Sequence, residues 1–165
     1  MRLTQETKDL IIKEFEEFKA QMYAGKTKEE RQALGQFFTP ADISIKMIER
    51  FNCDSLAGQK ILDPTCGSGN LLAACLIAGA DSDKVFGNEL DKTMLATCRR
   101  RLNKICKQLG KPEIPFHHLH QGDATDKRAL TIFSSAYKPK EEQTNEERLG
   151  DAIDDMLTLF MGGLF

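Results

Sequence analysis

Apolar residues recur at the three- and four-residue spacing of an amphipathic helix in two segments near the N-terminus. The first segment, residues 4–23, places a single apolar stripe on one face, made of Ile11, Phe15, Phe18 and Met22. The second begins at Thr39-Pro40, a favourable N-cap and first-turn pair, and runs to about residue 51. Its expected inward side chains are Ile43, Met47 and Phe51. With a short capped helix predicted after Thr27, residues 1–53 form a helical N-terminal extension.

From residue 60 the pattern changes to strands that alternate with helices. Short apolar runs predict strands over residues 60–63, 84–89 and 114–121, separated by helices over residues 70–78 and 91–109. Alternation of this kind is typical of βαβ units with a parallel sheet. We therefore predict a Rossmann-like α/β core over residues 54–137 that is truncated at its C-terminal side, and residues 129–133 are the candidate for a fourth strand.

The C-terminal part, residues 138–165, reads as a charged loop followed by one more helix. That helix carries an apolar stripe formed by Leu149, Ile153, Met156, Leu157 and Phe160. Chain ends are usually polar and frayed, whereas this one keeps large apolar residues up to Phe165. We therefore expect residues 146–165 to cover an open edge of the sheet or to dock on a second copy of the chain, which would make a homo-oligomer; the alternative is a disordered tail.

Charge and cysteine content narrow the possible classes of protein. The formal net charge is -2, and the basic run on the predicted second helix of the core reads as a solvated helix face, so strong DNA binding by this chain alone is not expected. This run consists of Arg99, Arg100, Arg101, Lys104 and Lys107. The 5 cysteines include no CxxC pair, and no apolar run reaches membrane-spanning length.

His117, His118 and His120 fall on the predicted third strand, where partly exposed positions are favoured over a metal site. A cytoplasmic protein with reduced thiols is expected.

The strongest chemical signal is the segment Asp63-Pro64-Thr65-Cys66-Gly67-Ser68-Gly69-Asn70, between a predicted strand and a predicted helix. Glycines at 67 and 69 allow a close approach of backbone to a ligand, and the helix that follows offers unpaired N–H groups. Leu72 stands where the dinucleotide fingerprint has its third glycine, so that fingerprint is not met. An acidic residue at the start of the loop suits a ligand that carries an amine as well as a carboxylate.

Two further carboxylates follow the next strands. Glu89 closes the second strand, where a carboxylate can accept bonds from ribose hydroxyls, and Asp91 is better explained as the cap of the next helix. Asp123 follows the third strand and can accept a bond from an adenine amino group. Because the carboxyl ends of parallel strands meet at one edge of the sheet, the three acidic groups are expected to converge there.

The order GQFFTP at residues 35–40 and then DPTCGSGNLL resembles the N-terminal halves of adenine-N6 DNA methyltransferases, especially modification subunits of type I restriction systems. The resemblance implies that S-adenosylmethionine is the cofactor and DNA the substrate. It implies a QFFTP segment over the methionine end of the cofactor, a loop that cradles it, and strand-end acids at its ribose and adenine. By position these roles fall on Phe38, Thr39, Pro40, Asp63, Cys66, Gly67, Gly69, Glu89 and Asp123.

One family feature is missing from the sequence. The family's catalytic motif has two adjacent prolines before an aromatic residue, whereas this chain has no such pair, and Ser134 to Tyr137 is the nearest candidate. Two hypotheses follow. In the first, the chain supplies cofactor binding for methylation of adenine N6 in DNA, with catalysis and DNA recognition on sequence or subunits outside it. In the second, it is a non-catalytic cofactor-binding or regulatory module that acts through a protein partner.

Overall fold

The computed structural model describes residues 1–25, 27 and 39–125 of the 165-residue chain. Several predictions lie outside the described residues: the short helix after Thr27, Phe38, the possible fourth strand, the Ser134–Tyr137 segment and the C-terminal helix with its homo-oligomer contact. None of the described helices is long and apolar enough to cross a membrane.

The described part of the chain contains a parallel sheet of three strands in the order β1-β2-β3. These strands are β1 (Ile61–Asp63), β2 (Val85–Glu89) and β3 (Leu119–Gln121). Asp63 is in register with Gly87, and Glu89 with Gln121, so the carboxyl ends of all three strands lie along one edge. The predicted Rossmann-like α/β fold class is confirmed, and the bounds 54–137 stay a prediction.

The described helices are α1 (Gln5–Tyr23), α2 (Ala41–Arg50), α3 (Asn70–Ile77) and α4 (Lys92–Gln108). The last two pack against the strands and against each other, and α1 and α2 pack on α3. The α3 helix joins β1 to β2 and is buried along most of its length, as its apolar composition predicted, and α4 joins β2 to β3. Ile11 and Phe15 of α1 and Ile48 of α2 belong to the same hydrophobic cluster as the sheet. The N-terminal helices therefore share one core with the strands.

The start and the rotation of α2 differ from the sequence-based expectation. Pro40, not Thr39, is the N-cap residue, and its helix buries Ser44, Ile45 and Ile48, whereas Ile43 is exposed. The cause is tertiary. The Glu49 carboxylate accepts a bond from the backbone N–H of Leu3 at 3.2 Å and pairs with Lys8 at 2.8 Å, contacts that hold this face of α2 toward α1.

The third strand is also shorter than predicted. A 3₁₀ turn over Phe116–His118 precedes β3, and its N-cap, Pro115, has a φ fixed near -54°. Proline has no N–H for a ladder bond, and the His118 N–H donates to the Pro115 carbonyl at 3.0 Å within the turn, so pairing with β2 begins only at Leu119. His118 leaves the predicted strand, is buried and stacks on Phe86 with ring centroids 4.1 Å apart.

The basic run on α4 is the predicted solvated face only in part. Arg101 is 5% exposed, and the Arg99 guanidinium donates to the carbonyl oxygens of Phe116 and Leu119 at 2.7 and 2.9 Å. Arg100, Lys104 and Lys107 are exposed, as predicted. Long side chains can bury their stems and still satisfy a charged head with carbonyls or carboxylates, which spacing alone does not indicate.

Candidate functional site

The turn between β1 and α3 is held tightly to the end of β2. The Cys66 N–H donates to the Asn88 carbonyl at 2.8 Å, and the Gly69 N–H donates to the Cys66 carbonyl at 2.7 Å. Gly67 and Gly69 have φ of 52° and 82°, in the left-handed region that favours glycine. The two glycines of the motif are thus required by the path of the backbone through this turn.

Glu89 joins this turn to the start of α4. Its Oε2 accepts a hydrogen bond from the Gly67 N–H at 2.8 Å, and its Oε1 accepts one from the Asp91 N–H at 2.9 Å. Asp91 caps α4 by accepting from the N–H groups of Thr93 and Met94. The structure therefore brings together Glu89 and the glycine loop, 22 residues apart in sequence, and gives Asp91 the capping role predicted for it.

Asp63 lies at the end of β1 as a half-buried carboxyl. It accepts one hydrogen bond, from the Thr65 N–H at 3.1 Å. Burial raises the pKa of Asp63 to about 6, the negative charge of Glu89 adds to the rise, and the bond from Thr65 opposes it. A carboxyl that ionises near pH 6 beside a second carboxylate favours a cationic partner at neutral pH.

Asp123 follows β3 at the same edge of the sheet. Its Oδ1 accepts bonds from the Thr125 N–H and hydroxyl at 2.8 and 2.7 Å, and the Gly122 N–H donates to the Glu89 carbonyl at 3.1 Å. Asp123 is exposed. The ends of β2 and β3 are therefore joined directly, with Asp123 next to the junction.

Asn88 is the member of this site that sequence reasoning missed. Its side chain is 1% exposed, and its Nδ2 donates to the carbonyls of Pro64 and Gly122 at 3.0 and 2.9 Å. Its Oδ1 lies 3.0 Å from His120 Nδ1. One amide thus ties together the loops that follow β1 and β3. The available signal was a lone asparagine inside an otherwise apolar buried strand, since such a group must find hydrogen-bond partners.

The start of α2 contacts the same loop. The Thr39 carbonyl accepts a hydrogen bond from Asn70 Nδ2 at 2.8 Å, with Thr39 half-buried and Pro40 exposed. Of the three predicted residues of the QFFTP segment, Thr39 is thus bonded to the residue that ends the loop, Pro40 follows it as the N-cap of α2, and Phe38 lies outside the described residues.

The two glycines of the loop face different surroundings. A Cβ at Gly69 would lie 2.7 Å from Cys98 Sγ and 3.4 Å from Leu102, both on α4. For a Cβ at Gly67, the nearest atom of the described residues would be Glu89 Oε2, at 4.0 Å. Gly69 therefore permits the packing of α4, and Gly67 leaves open space beside Glu89.

Cys66 is part of this packed layer. Its side chain is buried, with its Sγ 3.9 Å from Cys98 Sγ, and both this contact and burial raise the pKa of the thiol. A neutral thiol is a poor nucleophile, so Cys66 acts here as a small apolar residue.

Replacing Gly69 with alanine is expected to lower the free energy of unfolding through two effects. Forcing a Cβ into the left-handed region costs about 1–2 kcal/mol, and the clash with Cys98 adds about 1–3 kcal/mol of overpacking. Gly110→Ala is the matched control, because Gly110 also has a positive φ of 66° but nothing within 4 Å of its Cβ position. Urea denaturation should show the larger loss for Gly69→Ala; equal losses would show that α4 yields to the extra methyl group.

The described site is thus an edge with two neighbouring carboxyl groups, a left-handed glycine turn and a third acid after β3. Carboxylates can accept bonds from hydroxyl and amine donors, and Gly67 leaves room for a ligand beside Glu89. In open α/β sheets ligands bind outside the carboxyl ends of the strands, where these groups lie.

Comparisons with known proteins identify the family of the chain. The family model described as N-6 DNA Methylase matches residues 7–127. The type II methyltransferase M.CvrRI of Paramecium bursaria Chlorella virus XZ-6E is 29% identical over 126 residues, which cover 76% of this chain and 30% of that protein. The type II methyltransferase M.VspI of Vibrio sp. (strain 343) is 30% identical over 74 residues, or 44% of this chain and 17% of the relative.

A solved structure is also similar. It is the methyltransferase subunit of a type I restriction-modification system from Streptococcus thermophilus, with 24% identity and a TM-score of 0.40 over 66% of this chain and 21% of that one. The chain thus spans less than a third of the length of the relatives it matches. The family match covers most of the sequence and includes both the loop and the strand-end acids: the chain belongs to the N-6 DNA methylase family.

Proposed function

We propose that the carboxyl edge of the sheet binds S-adenosylmethionine and that the chain is the cofactor-binding part of an enzyme that methylates adenine N6 in DNA. The observation that carries the proposal is the convergence of Glu89 and Asp63 on the glycine turn, with Glu89 Oε2 2.8 Å from the Gly67 nitrogen. The cofactor supplies the methyl group that is transferred.

The donor and acceptor groups of the edge fit this cofactor. Each oxygen of Glu89 accepts one backbone hydrogen bond, and a carboxylate oxygen can accept two. Glu89 therefore retains capacity for the two ribose hydroxyls. Asp63, with a pKa near 6, is suited to an ammonium group, which would favour its ionised form. Asp123 would accept from the adenine amino group.

The remaining predicted residues have supporting roles in the proposal. Thr39 and Pro40, with Phe38 before them, would cover the methionine end, and Cys66 would fill space behind the loop. Gly67 would admit the ligand, and Gly69 would let the loop pack against α4.

Titration calorimetry of S-adenosylmethionine should show one binding site per chain. Glu89→Ala removes the acceptor of the ribose and of the Gly67 N–H, and we expect it to weaken binding by about 1.5–3 kcal/mol, the range for hydrogen bonds to charged groups. Glu89→Gln, which keeps one acceptor and the shape, should weaken binding less. Glu16→Gln is the control, because Glu16 is an exposed residue of α1. Unchanged binding by Glu89→Ala with an intact fold would contradict the assignment.

We also propose that base chemistry and DNA recognition lie outside this chain. The sequence has no adjacent prolines and a net charge of -2, which gives little attraction for phosphates. Transfer of a tritiated methyl group to mixed-sequence duplex DNA should therefore stay at background for the chain alone. Measurable transfer by the purified chain would show that it contains a complete catalytic site.

A further inference from the structure

A buried ion pair connects α1 with α4 beneath the glycine loop. Arg101 Nη2 lies 2.6 Å from Glu14 Oε2, and Arg101 Nε donates to Glu14 Oε1 at 2.9 Å, a two-bond arrangement. The guanidinium also lies over the Phe18 ring, 3.8 Å from its centroid. Arg101 is therefore held in one position from the side of the N-terminal helix.

The remaining donor of the same guanidinium points into the loop. Arg101 Nη1 donates to the carbonyl of Ser68 at 3.4 Å and to Asn70 Oδ1. Asn70 is 8% exposed, and its Nδ2 donates to the Thr39 carbonyl at 2.8 Å. An amide can accept from a guanidinium with its oxygen and donate to a carbonyl with its nitrogen while it remains neutral.

The contacts form a continuous chain from Glu14 through Arg101 and Asn70 to Thr39. It joins four segments that are far apart in sequence: α1, α4, the first residue of α3 and the residues just before α2. Each link is buried or half-buried, where an unsatisfied polar group is costly. The relative position of the loop and of Thr39 therefore depends on the Asn70 amide.

We propose that Asn70 is a positioning residue: held by Arg101 and Glu14, it fixes Thr39 and Pro40 over the glycine loop in the arrangement that binds the cofactor. This inference rests on the proposed binding of S-adenosylmethionine. It gives α1, which lies on the far side of Arg101, a part in setting cofactor affinity. Without the bond to Thr39, the start of α2 would become ordered only when the cofactor binds. The entropy cost of that ordering would lower the affinity for the cofactor.

Asn70→Asp tests this directly. Aspartate keeps the size of the side chain and the acceptor for Arg101, but it places an oxygen instead of an N–H group against the Thr39 carbonyl. Asn70→Ser, which is neutral and too short to reach Thr39, is the second variant in case the first does not fold. Asn52→Asp is the matched control, because it makes the same chemical change at an exposed position.

Two measurements on the full chain decide the outcome. Hydrogen exchange without ligand should become faster in the peptides that cover residues 39–50 and 66–73 and stay unchanged in those that cover α4. Affinity for S-adenosylmethionine should fall roughly tenfold, the effect of one hydrogen bond of ordinary strength. The control should change neither quantity.

The possible contrary results are distinct. If exchange near residue 39 is unchanged, or rises throughout the chain in proportion to lost global stability, Asn70 is not a positioning residue. Faster local exchange with unchanged affinity also overturns the inference. If the wild-type chain does not bind S-adenosylmethionine, the proposed function fails. In that case hydrogen exchange of the Asn70 variants decides by itself whether Asn70 holds the start of α2 to the loop.

Discussion

Replacing Arg101 with methionine is expected to lower the free energy of unfolding by about 3 kcal/mol, the low end of the range for breaking a buried ion pair. The change leaves the Glu14 carboxylate without its partner, with a side chain only 18% exposed. It also removes the donor from Asn70 Oδ1 and the stacking on Phe18. The low end of the range applies because the Glu14 carboxylate keeps some contact with water. Urea denaturation at neutral pH measures the loss of stability.

Arg100→Met is the matched control for this prediction. Arg100 is the adjacent residue of α4 and is exposed. Within the described part of the chain, its guanidinium donates one long hydrogen bond, of 3.3 Å, to Thr97 Oγ1. Surface substitutions of this kind usually change stability by about 0.5 kcal/mol or less. A double variant, Arg101→Met with Glu14→Leu, should recover part of the loss because no unpaired charge remains. Equal effects at 100 and 101 would mean that the ion pair contributes nothing.

Asp63→Asn is expected to stabilise the ligand-free protein and to weaken cofactor binding. The pKa of Asp63 is raised from 3.8 to about 6 in the folded chain. Between these values the folded state binds more protons than the unfolded state, so the stability due to this group is present at low pH and is lost as pH rises through 6. At pH 7 the ionised carboxyl therefore costs up to about 3 kcal/mol, at 1.36 kcal/mol per pH unit. Asparagine removes that cost and can still accept from the Thr65 N–H.

Thermal unfolding between pH 4 and pH 8 measures this prediction. The melting temperature of Asp63→Asn should exceed that of the wild type at pH 7, and the gap should close as pH falls toward 4. Affinity of the wild type for S-adenosylmethionine should rise with pH through about 6, because the ligand's ammonium favours ionised Asp63. Asp54→Asn, at an exposed position, should show neither effect. A lower melting temperature for Asp63→Asn at pH 7 would show that the carboxylate is stabilised by partners in the folded chain.

These two substitutions separate a structural residue from a binding residue. Arg101 belongs to the scaffold beneath the loop, so its loss should destabilise the chain first and weaken binding as a consequence. Asp63 faces the site with one backbone bond, so its charge is a cost to the free protein that a cationic ligand would offset. The distinction is supported if Arg101→Met lowers and Asp63→Asn raises the stability of the ligand-free chain, while both substitutions weaken cofactor binding.

The amino-acid sequence by itself determined the types of element and the edge at which the site lies. Spacing of apolar residues predicted α1, α3 and α4, and alternation of strands with helices predicted a parallel sheet. The carboxyl ends of parallel strands lie along one edge of the sheet, so the sequence alone placed Glu89 beside the glycine turn. Local periodicity and chain connectivity are enough for such predictions, because they depend on neighbours in sequence.

Only the tertiary structure decided which polar groups are buried and what they bind. Arg101 looked like part of a solvated basic run, yet it pairs with Glu14, 87 residues away. Asn88 holds Pro64 and Gly122, and Asn70 holds Thr39, across separations of 24 to 34 residues. The inward face of α2 and the late start of β3 likewise depended on Lys8, Leu3 and a turn at Pro115. A buried polar group is stable only with partners at hydrogen-bond distance, and those partners are chosen by packing between distant segments, which no local pattern encodes.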